Sequence, residues 1–442
     1  MIGEMIMDFT ELLAYAENIS TDAVAIRRDL HQYPETGFLE YRTATKIINE
    51  LKKYNYTVLY GNAVNDTTEI TSLPSKEVQA AAMERAIKEG ADPALVREMA
   101  DGKTGVVGII EGTKEGIGKT VAFRFDMDCN EANESCEHIH RPVREGFQSV
   151  HENAMHACGH DGHVAIGLLL ARILSEYRDR FSGRVKLIFQ PAEEGVRGAE
   201  AMVKAGVCDD VDIFFGGHIG LSEKENGTLA ASVGEFLAAS KFVAVFTGKS
   251  SHAGLAPEEG RNALLASAQA AIALHAISRH GKGASRVNVG VLNAGTGMNV
   301  IPDHAEMRFE TRGETTEINA FMEEEARRII MAAAAMYGVE ATITRVGYAS
   351  SFEADSDFAE EIALFAKESG LYRRVDPYMA MNASEDCTTF LNRVTARGGK
   401  GIYMMYGAEL AAGHHNDRFD FNESVISHTA AFLAALTLKY CI

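Results

Sequence analysis

The chain has 442 residues and a mass of 48.0 kDa, which is long enough for two or three domains. Hydrophobic residues make up 46% of it and charged residues 24%, a globular mix that excludes disordered, collagen-like and coiled-coil chains. Its 62 acidic and 43 basic residues leave a formal charge of −19, which argues against nucleic acid or an anionic membrane as a partner.

The apolar runs of the chain are too short to form a transmembrane helix. The longest, at residues 164–174 and 430–438, fall well below the ~20 residues that a spanning helix needs. The N-terminal segment is acidic and amphipathic, without the basic start that is typical of a signal peptide. The six cysteines are scattered and include no Cys-x-x-Cys pair, which predicts reduced thiols. We therefore expect a cytoplasmic protein.

The first predicted elements are helices and the next are strands. Apolar residues at helical spacing predict helices within 8–60, and the composition of 62–104 predicts a helical insertion broken near 90–93. Short β-rich runs then follow at 105–111, 120–125, 184–189 and 211–215. They alternate with helical runs at 164–177 and 199–205. This alternation predicts a layered α/β core.

Residues 235–347 carry a separate pattern. Strand, helix, strand, strand, helix and strand are predicted in that order, at residues 241–247, 261–278, 286–293, 304–312, 317–337 and 340–346. This is the order of a ferredoxin-like α+β unit. We therefore predict an inserted domain at 235–347, while 1–234 and 348–442 together form the first, α/β domain.

Candidate metal ligands are densest in MHACGHDGH, at residues 155–163. This segment is predicted to be a loop that leads into an apolar helix beginning at Val164. Cys158 and His160 supply a sulfur and a nitrogen donor two residues apart, as a transition-metal site requires. His156 and His163 are equally compatible with helix capping or another structural role.

Further donors follow three other apolar strands. VKLIFQPAEEG ends in Glu193 and Glu194, which point in different directions, so one can bind a cation while the other acts as a base. VDIFFGGHIG adds His218, and AGHHND adds His414 or His415. With the Cys-x-His pair they make a mixed sulfur, nitrogen and oxygen set sufficient for two metal ions with a shared ligand.

These motifs together resemble the M20 family of metallopeptidase-like amidohydrolases, in the branch of hippurate and auxin-conjugate hydrolases. RRDLHQYPETGFLEYRTA and SSHAGLAPEEGRNAL fit the same family, so the resemblance runs nearly from end to end. The 62–104 insertion, HRPVREGF and the doubled histidine most resemble hydrolases of p-aminobenzoyl-glutamate. The resemblance implies an α/β, zinc-peptidase-like catalytic domain with a central mixed sheet flanked by helices, and a smaller ferredoxin-like lid that forms a dimer.

The resemblance also implies roles for individual residues. It implies five metal ligands: Cys158, His160, Glu194, His218 and His415. His414 stays open as the alternative last ligand, and Glu193 is the implied general base. His252 of the SSHAG motif would reach the neighbouring subunit's site and stabilise the oxyanion, while Asn299 and Arg312 would contact substrate. Two divalent ions are implied, with manganese as the first choice and zinc as the second.

One departure from many M20 relatives is the segment RFDMD, which stands where those relatives carry a His-x-Asp ligand motif. We therefore predict that Asp126, Asp128 and Asp161 orient the ligands or their loop and do not themselves bind metal. Ordinary strand-end or capping acids are the alternative.

The expected activity is metal-dependent hydrolysis of an N-acyl amino acid, with p-aminobenzoyl-glutamate as the first candidate. Lys241, Arg286 and Arg312 are candidates to bind a dianionic substrate, or else lie on a solvated strand edge. The expected assembly is a homodimer or a hetero-oligomer with a related chain. The alternatives are a general aminoacylase or peptidase, and a non-catalytic member of a hetero-oligomer.

Overall fold

The structure is a computed structural model, and it describes residues 9–221 and 223–441. The N-terminal segment, for which no signal peptide is expected, begins with residues 1–8. These eight residues lie outside the described residues. Within the described ranges, no helix combines the length and the apolar character that crossing a membrane requires.

The described helices are α1 (Phe9–Gln32), α2 (Tyr41–Lys53), α3 (Lys76–Lys88), α4 (Pro93–Glu98), α5 (Arg141–Glu145), α6 (His160–Glu176), α7 (Ala199–Lys204), α8 (Ala263–His275), α9 (Thr316–Tyr337), α10 (Ser356–Ser369), α11 (Cys387–Ala396) and α12 (Ser424–Tyr440). The described strands are β1 (Thr57–Tyr60), β2 (Val106–Glu111), β3 (Thr120–Asp126), β4 (Arg184–Gln190), β5 (Ile213–Ile219), β6 (Thr228–Ala230), β7 (Val233–Gly234), β8 (Ala238–Thr247), β9 (Ser285–Ala294), β10 (His304–Gly313), β11 (Glu340–Ala349), β12 (Arg374–Asp376), β13 (Met379–Ala380) and β14 (Lys400–Tyr406).

The larger sheet has eight strands in the order β1-β2-β4-β3-β5-β14-β6-β12. Its central strands β4, β3, β5 and β14 are parallel, whereas β2 and β6 run antiparallel to their neighbours β4 and β14. Because the carboxyl ends of parallel strands meet at one edge, the loops after these four strands lie together. The predicted α/β class with a central mixed sheet is confirmed.

Helices cover both faces of this sheet. Phe123 and Phe215 pack on the face covered by α1, α2, α6, α10 and α12, whereas Ala122 and Phe214 pack on the face covered by α7 and α11. A strand that is buried on both faces has a nearly continuous apolar sequence. This explains why these strands could be predicted from the sequence.

The second sheet has four antiparallel strands in the order β11-β8-β10-β9, with α8 and α9 packed on one face. This strand order is that of the predicted ferredoxin-like unit. β11 continues to Ala349, beyond the predicted boundary at 347. We refer to this sheet and its helices as the lid, and its division from the rest at 235–347 stays a prediction.

Two elements that carry candidate ligands begin elsewhere than the sequence predicted. The loop expected up to Val164 is wrong for its last residues, because α6 begins at His160 directly after Gly159. Gly159 has a φ of 91°, a conformation that glycine adopts readily and that turns the chain sharply into the helix. β5 spans Ile213–Ile219 and not 211–215, so His218 lies within the strand.

Candidate metal and catalytic centre

The five implied metal ligands lie together at the carboxyl edge of the larger sheet. The ligand atoms of Cys158, His160 and His218 lie within 4.8 Å of one another, and so do those of Cys158, Glu194 and His415. Cys158 belongs to both groups, which is the position expected for a ligand that two metal ions share. The structure therefore brings together a donor set whose chemistry fits two divalent ions.

Hydrogen bonds at Nδ1 orient two of these histidines. His160 Nδ1 lies 2.8 Å from the carbonyl oxygen of Asp128, and His218 Nδ1 lies 2.8 Å from that of Ile219. Because a carbonyl oxygen only accepts, each Nδ1 donates, and a ring in its neutral form keeps the lone pair of Nε2. Among the described residues, the buried His160 Nε2 has no hydrogen-bond partner, and His218 Nε2 lies 3.4 Å from Cys158 Sγ. Both Nε2 atoms are thus available to a metal ion.

The structure separates the two candidates for the last ligand. His415 Nε2 lies 3.3 Å from Glu194 Oε1, whereas His414 Nε2 lies 3.1 Å from the carbonyl oxygen of Ile219. His415 has a φ of 62°, a left-handed conformation that is uncommon for a residue other than glycine and is often found at functional sites. This geometry favours His415 as the ligand and favours a structural role for His414.

The other two histidines of the MHACGHDGH segment lie outside both ligand groups. His163 accepts the amide of Ile219 at Nε2, at 2.9 Å, and contacts Asp126 through Nδ1, so both of its ring nitrogens are occupied. His156 is buried, burial lowers its pKa to about 3, and neither of its ring nitrogens has a hydrogen-bond partner among the described residues. The two contacts of His163 favour a structural role, although His163 also forms a third group of possible donors with Asp126 and His160.

The loop 191–197, which we call the catalytic loop, is held by hydrogen bonds from its main chain to two buried acidic side chains. Asp128 accepts the main-chain N–H groups of Glu193 and Glu194, at 2.9 and 3.0 Å, and Glu40 accepts that of Ala192 at 2.8 Å. Burial and the nearby charge of Asp128 raise the pKa of Glu40 to about 8. Asp128 therefore orients the catalytic loop, as predicted, and Glu40 is a contributor that the sequence analysis missed.

Glu193 faces a second pair of adjacent acids, Glu385 and Asp386, which the sequence analysis also missed. Carboxylate oxygens of these three residues lie within 4.8 Å of one another. Burial and then the charge of Glu385 raise the pKa of Glu193 well above its usual range. A carboxyl group whose pKa is raised in this way can accept and return a proton near neutral pH. The repeated Glu-Glu and Glu-Asp pairs were the signal that could have identified this cluster.

A buried arginine balances these negative charges. The Arg124 guanidinium contacts Asp126 and lies 2.9 Å from Glu385 and 3.2 Å from Asp386. Asp386 also accepts the amide of Ala199, at the start of α7, at 3.1 Å. Removing one partner of such a buried pair leaves an uncompensated charge, which typically costs ~3–5 kcal/mol. Arg124 therefore keeps three carboxylates together behind the catalytic loop.

A second buried network connects α1 to the first turn of α6. Arg27 Nε and His31 Nδ1 each lie 2.8 Å from Oδ2 of Asp161, and His31 Nε2 lies 2.9 Å from Glu134. Burial opposes a charge on His31, but its hydrogen bonds to Asp161 and Glu134 raise its pKa to about 9. Because Asp161 directly follows His160, this network fixes the start of α6 and supports the predicted orienting role of Asp161.

His252 and Asn299 lie on neighbouring segments of the lid, and neither belongs to the two ligand groups. His252 Nδ1 accepts the amides of residues 254 and 255, each at 3.1 Å, so a neutral ring carries its proton on Nε2. The main-chain carbonyl of Asn299 accepts the amide of Ala253 at 3.0 Å. Both residues are exposed, and the Nε2 proton of His252 is available to a group outside the lid.

Arg312, the other implied substrate contact, lies at the opposite end of β10 from Asn299. It pairs with Glu310 at 3.0 Å, and the strand between His304 and Arg312 spans ~26 Å at ~3.3 Å per residue. Arg286 lies opposite Arg312 on β9, and Lys241 lies opposite Glu310 on β8. The structure thus brings the three basic candidates together but separates them from Asn299.

Comparison with known proteins gives the family. The model of Peptidase family M20/M25/M40 matches residues 122–439. The chain is 45% identical over 427 residues to indole-3-acetyl-aspartic acid hydrolase of Enterobacter agglomerans, covering 96% of this chain and 97% of that protein. It is 42% identical over 415 residues to a subunit of the p-aminobenzoyl-glutamate hydrolase of Escherichia coli strain K12, covering 94% of each.

Solved structures agree with this result. An aminobenzoyl-glutamate utilization protein from Klebsiella pneumoniae has a TM-score of 0.81 and 39% identity, covering 97% of this chain and 98% of that one. A dinuclear metal-binding peptidase of the M20 family from Bacillus subtilis has a TM-score of 0.65 and 26% identity, covering 96% and 99%. The chain belongs to peptidase family M20/M25/M40, and it is a hydrolase of amide bonds.

Proposed function

We propose that the protein hydrolyses the amide bond of an N-acyl amino acid with two divalent ions bound by Cys158 and the four ligands around it. The observation that carries this proposal is the shared position of Cys158 in two ligand groups beside Glu193. p-Aminobenzoyl-glutamate is the first candidate substrate, and an indole-3-acetyl conjugate of aspartate is the second, because two similar proteins are named for these activities. Both compounds join an aromatic acyl group to an acidic amino acid.

The chemistry divides between the ions and the side chains. Bound divalent cations polarise an amide carbonyl and lower the pKa of water. Glu193 accepts a proton from the attacking water and returns it to the departing nitrogen. The hydrogen bond from the main-chain N–H of Glu193 to Asp128 keeps the Glu193 side chain in place during both proton transfers. His252 of a neighbouring lid donates its Nε2 proton to the developing oxyanion, a kind of contact worth ~2.7–4 kcal/mol in other hydrolases.

We propose manganese as the first metal, on the family resemblance, and zinc as the second. Thiolate and imidazole donors suit zinc, whereas carboxylate oxygen also suits manganese. Elemental analysis of the purified protein, followed by activity after reconstitution with each ion, distinguishes them.

We further propose that the active protein is a cytoplasmic homodimer formed through the lid. β9 is an edge strand of the lid sheet and exposes Val291 and Leu292, while α8 exposes Leu265 and Ile272. An unpaired edge beside exposed apolar side chains favours contact with another chain. The exposed position of His252 fits a role in the site of that chain. A hetero-oligomer with a related chain is the second candidate, because the similar Escherichia coli protein is named as one subunit of its hydrolase.

The test combines metal analysis with a substrate panel on wild type and Glu193→Gln. The panel contains p-aminobenzoyl-glutamate, indole-3-acetyl-aspartate, hippurate and N-acetyl amino acids. We expect Glu193→Gln to keep its metal and to lose ~10²–10⁴-fold in kcat. Faster cleavage of simple N-acetyl amino acids would favour a general aminoacylase. Full metal content in the wild type without hydrolysis of any panel member would favour a non-catalytic role.

A further inference from the structure

The last strand of the lid is joined directly to the catalytic loop. β11 has a bulge between Arg345 and Gly347, where the register against β8 shifts by one residue. Immediately after the bulge, the main-chain N–H of Tyr348 donates to the carbonyl oxygen of Val196 at 2.7 Å. A bulge redirects the backbone of a strand, and this one directs β11 onto the loop that carries Glu193 and Glu194.

Val196 is the residue through which the lid reaches Glu193. Its carbonyl accepts from Tyr348 of the lid, and its own N–H donates to the carbonyl oxygen of Glu193 at 2.7 Å. Val196 has a φ of 57° and Gly195 a φ of 92°, so this turn of the loop is left-handed. The hydrogen bonds that connect the lid to the proposed base therefore pass through a single residue, Val196, which has a constrained conformation.

The contact is also sterically tight. A Cβ atom added to Gly347 would lie 2.3 Å from the carbonyl oxygen of Gly195, a separation that real Cβ atoms essentially never show. Gly347 does not have a positive φ, so space rather than conformation requires glycine at this position. Any side chain here must move either β11 or the catalytic loop.

A side-chain pair forms a second link between the same two segments. Arg345, in β11, lies 2.9 Å from Glu200 in the first turn of α7 and stacks on the ring of Tyr348 at 4.5 Å. The neighbouring residue Ala199 has its amide bound to Asp386, which belongs to the acid cluster around Glu193. The lid is thus connected to the candidate centre both through the loop and through the start of α7.

We propose that these contacts make the positions of Glu193 and Glu194 depend on the position of the lid. Gly347 and Arg345 are then positioning residues for the proposed amide hydrolysis, on which this inference rests. A movement of the lid must either carry Val196 with it, which shifts the catalytic loop, or break the Tyr348 hydrogen bond, which removes a support of that loop. A displacement of ~1 Å at a catalytic group can cost ~100-fold in rate.

The first test is Gly347→Ala, with Gly281→Ala as the matched control. Gly281 is also a lid glycine without a positive φ, and a Cβ added there meets nothing within 4 Å. We expect Gly347→Ala to lose at least ~10-fold in kcat with a smaller change in KM, and Gly281→Ala to behave as the wild type. Wild-type kcat in a folded Gly347→Ala protein would overturn the proposal.

The second test keeps the proposal falsifiable if Gly347→Ala does not fold. Arg345→Glu and Glu200→Arg are compared singly and as the double swap, at equal metal content. We expect each single variant to lower the kcat of the folded, metal-loaded protein and the swap to restore it at least in part. Singles with wild-type kcat, or a swap no better than the singles, would contradict the proposed positioning role.

A readout without substrate distinguishes failure of this inference from failure of the proposed function. Wild type loaded with manganese or zinc is challenged with a chelator, and the rate of metal release is compared with that of the two glycine variants. Because Glu194 is a proposed ligand on the same loop, Gly347→Ala should release metal faster than Gly281→Ala. This difference is expected whichever substrate is cleaved, and equal release rates would count against the lid contact alone.

Discussion

The Nδ1 atom of His160 lies 2.8 Å from the main-chain carbonyl oxygen of Asp128. The side chain of the same Asp128 accepts the amides of Glu193 and Glu194. One residue therefore orients a proposed ligand on α6 through its main chain and the catalytic loop through its carboxylate. Asp128 is fully buried, and it holds both His160 and the catalytic loop in position.

Asp128→Asn tests this support. Asparagine keeps the shape of the side chain, but its amide nitrogen cannot accept, so one of the two main-chain N–H groups loses its partner. We expect a loss of ~10–100-fold in metal affinity or kcat, as is typical when a group that orients a metal ligand is removed. Metal titration and steady-state kinetics measure it. The control is Asp210→Asn, a half-exposed surface residue that pairs with Lys186. Unchanged affinity and kcat in Asp128→Asn would refute the role.

Cys158→Ser tests the shared ligand. A hydroxyl group does not replace the sulfur donor that both groups contain, so we expect the protein to lose metal from both positions and activity with it. Elemental analysis after dialysis gives the number of ions per chain. Cys136→Ser is the matched control, because Cys136 is a free and exposed cysteine. Retention of both ions by Cys158→Ser would exclude Cys158 as a shared ligand.

The sequence predicts the proposed ligands but not the groups that orient them. Cys158, Glu194 and His218 lie next to or within buried apolar elements, and the carboxyl ends of parallel strands meet at one edge. Glu40 and Arg124 carry no such local signal. Glu40 binds an amide 152 residues away, and Arg124 binds Glu385 261 residues away. Only the folded chain brings these partners together.

The elements of the fold also divide into those with a clear local sequence pattern and those that depend on the folded chain. The long strands of both sheets have clear apolar patterns, whereas β7 and β13 have two residues each and are too short for any periodicity. The sequence predicts the start of α6 at Val164, four residues too late, because glycine usually signals a loop. Gly159 instead forms the turn into the helix. Its left-handed φ is a property of the three-dimensional structure.

The charge on His31 makes stability depend on pH. Its pKa in the folded protein is about 9, above the ~6.5 of an unperturbed histidine. A raised folded-state pKa contributes stability that is complete below about pH 6.5 and is lost as the pH rises through about 9. The full contribution is about 3 kcal/mol.

We therefore expect the difference in free energy of unfolding between wild type and His31→Gln to shrink when the pH rises from 6 to 10. Denaturant unfolding at both pH values measures this difference. His428→Gln, a change at a partly exposed histidine of α12, serves as the control. A difference for His31→Gln that stays constant over this range would show that the His31 charge does not stabilise the fold.

The proposed dimer is tested at the exposed face of α8. Leu265→Glu combined with Ile272→Glu places two charges on the apolar surface that a second lid would cover. We expect sedimentation to show a monomer that keeps its metal and loses activity, because His252 then has no neighbouring site to reach. Leu364→Glu, at an equally exposed leucine of α10, is the control. A fully active monomer would remove the role of His252 between protomers.

Mixing two inactive variants tests that role directly. If His252 acts in the partner's site, a hybrid dimer of His252→Ala and Glu193→Gln contains one site with both an intact base and an intact histidine. After random exchange half of the dimers are hybrids, each with one complete site of two, so about a quarter of the wild-type kcat should return. If His252 acted within its own chain, no hybrid would contain a complete site. The mixture would then stay as inactive as its components, although exchange of protomers had taken place.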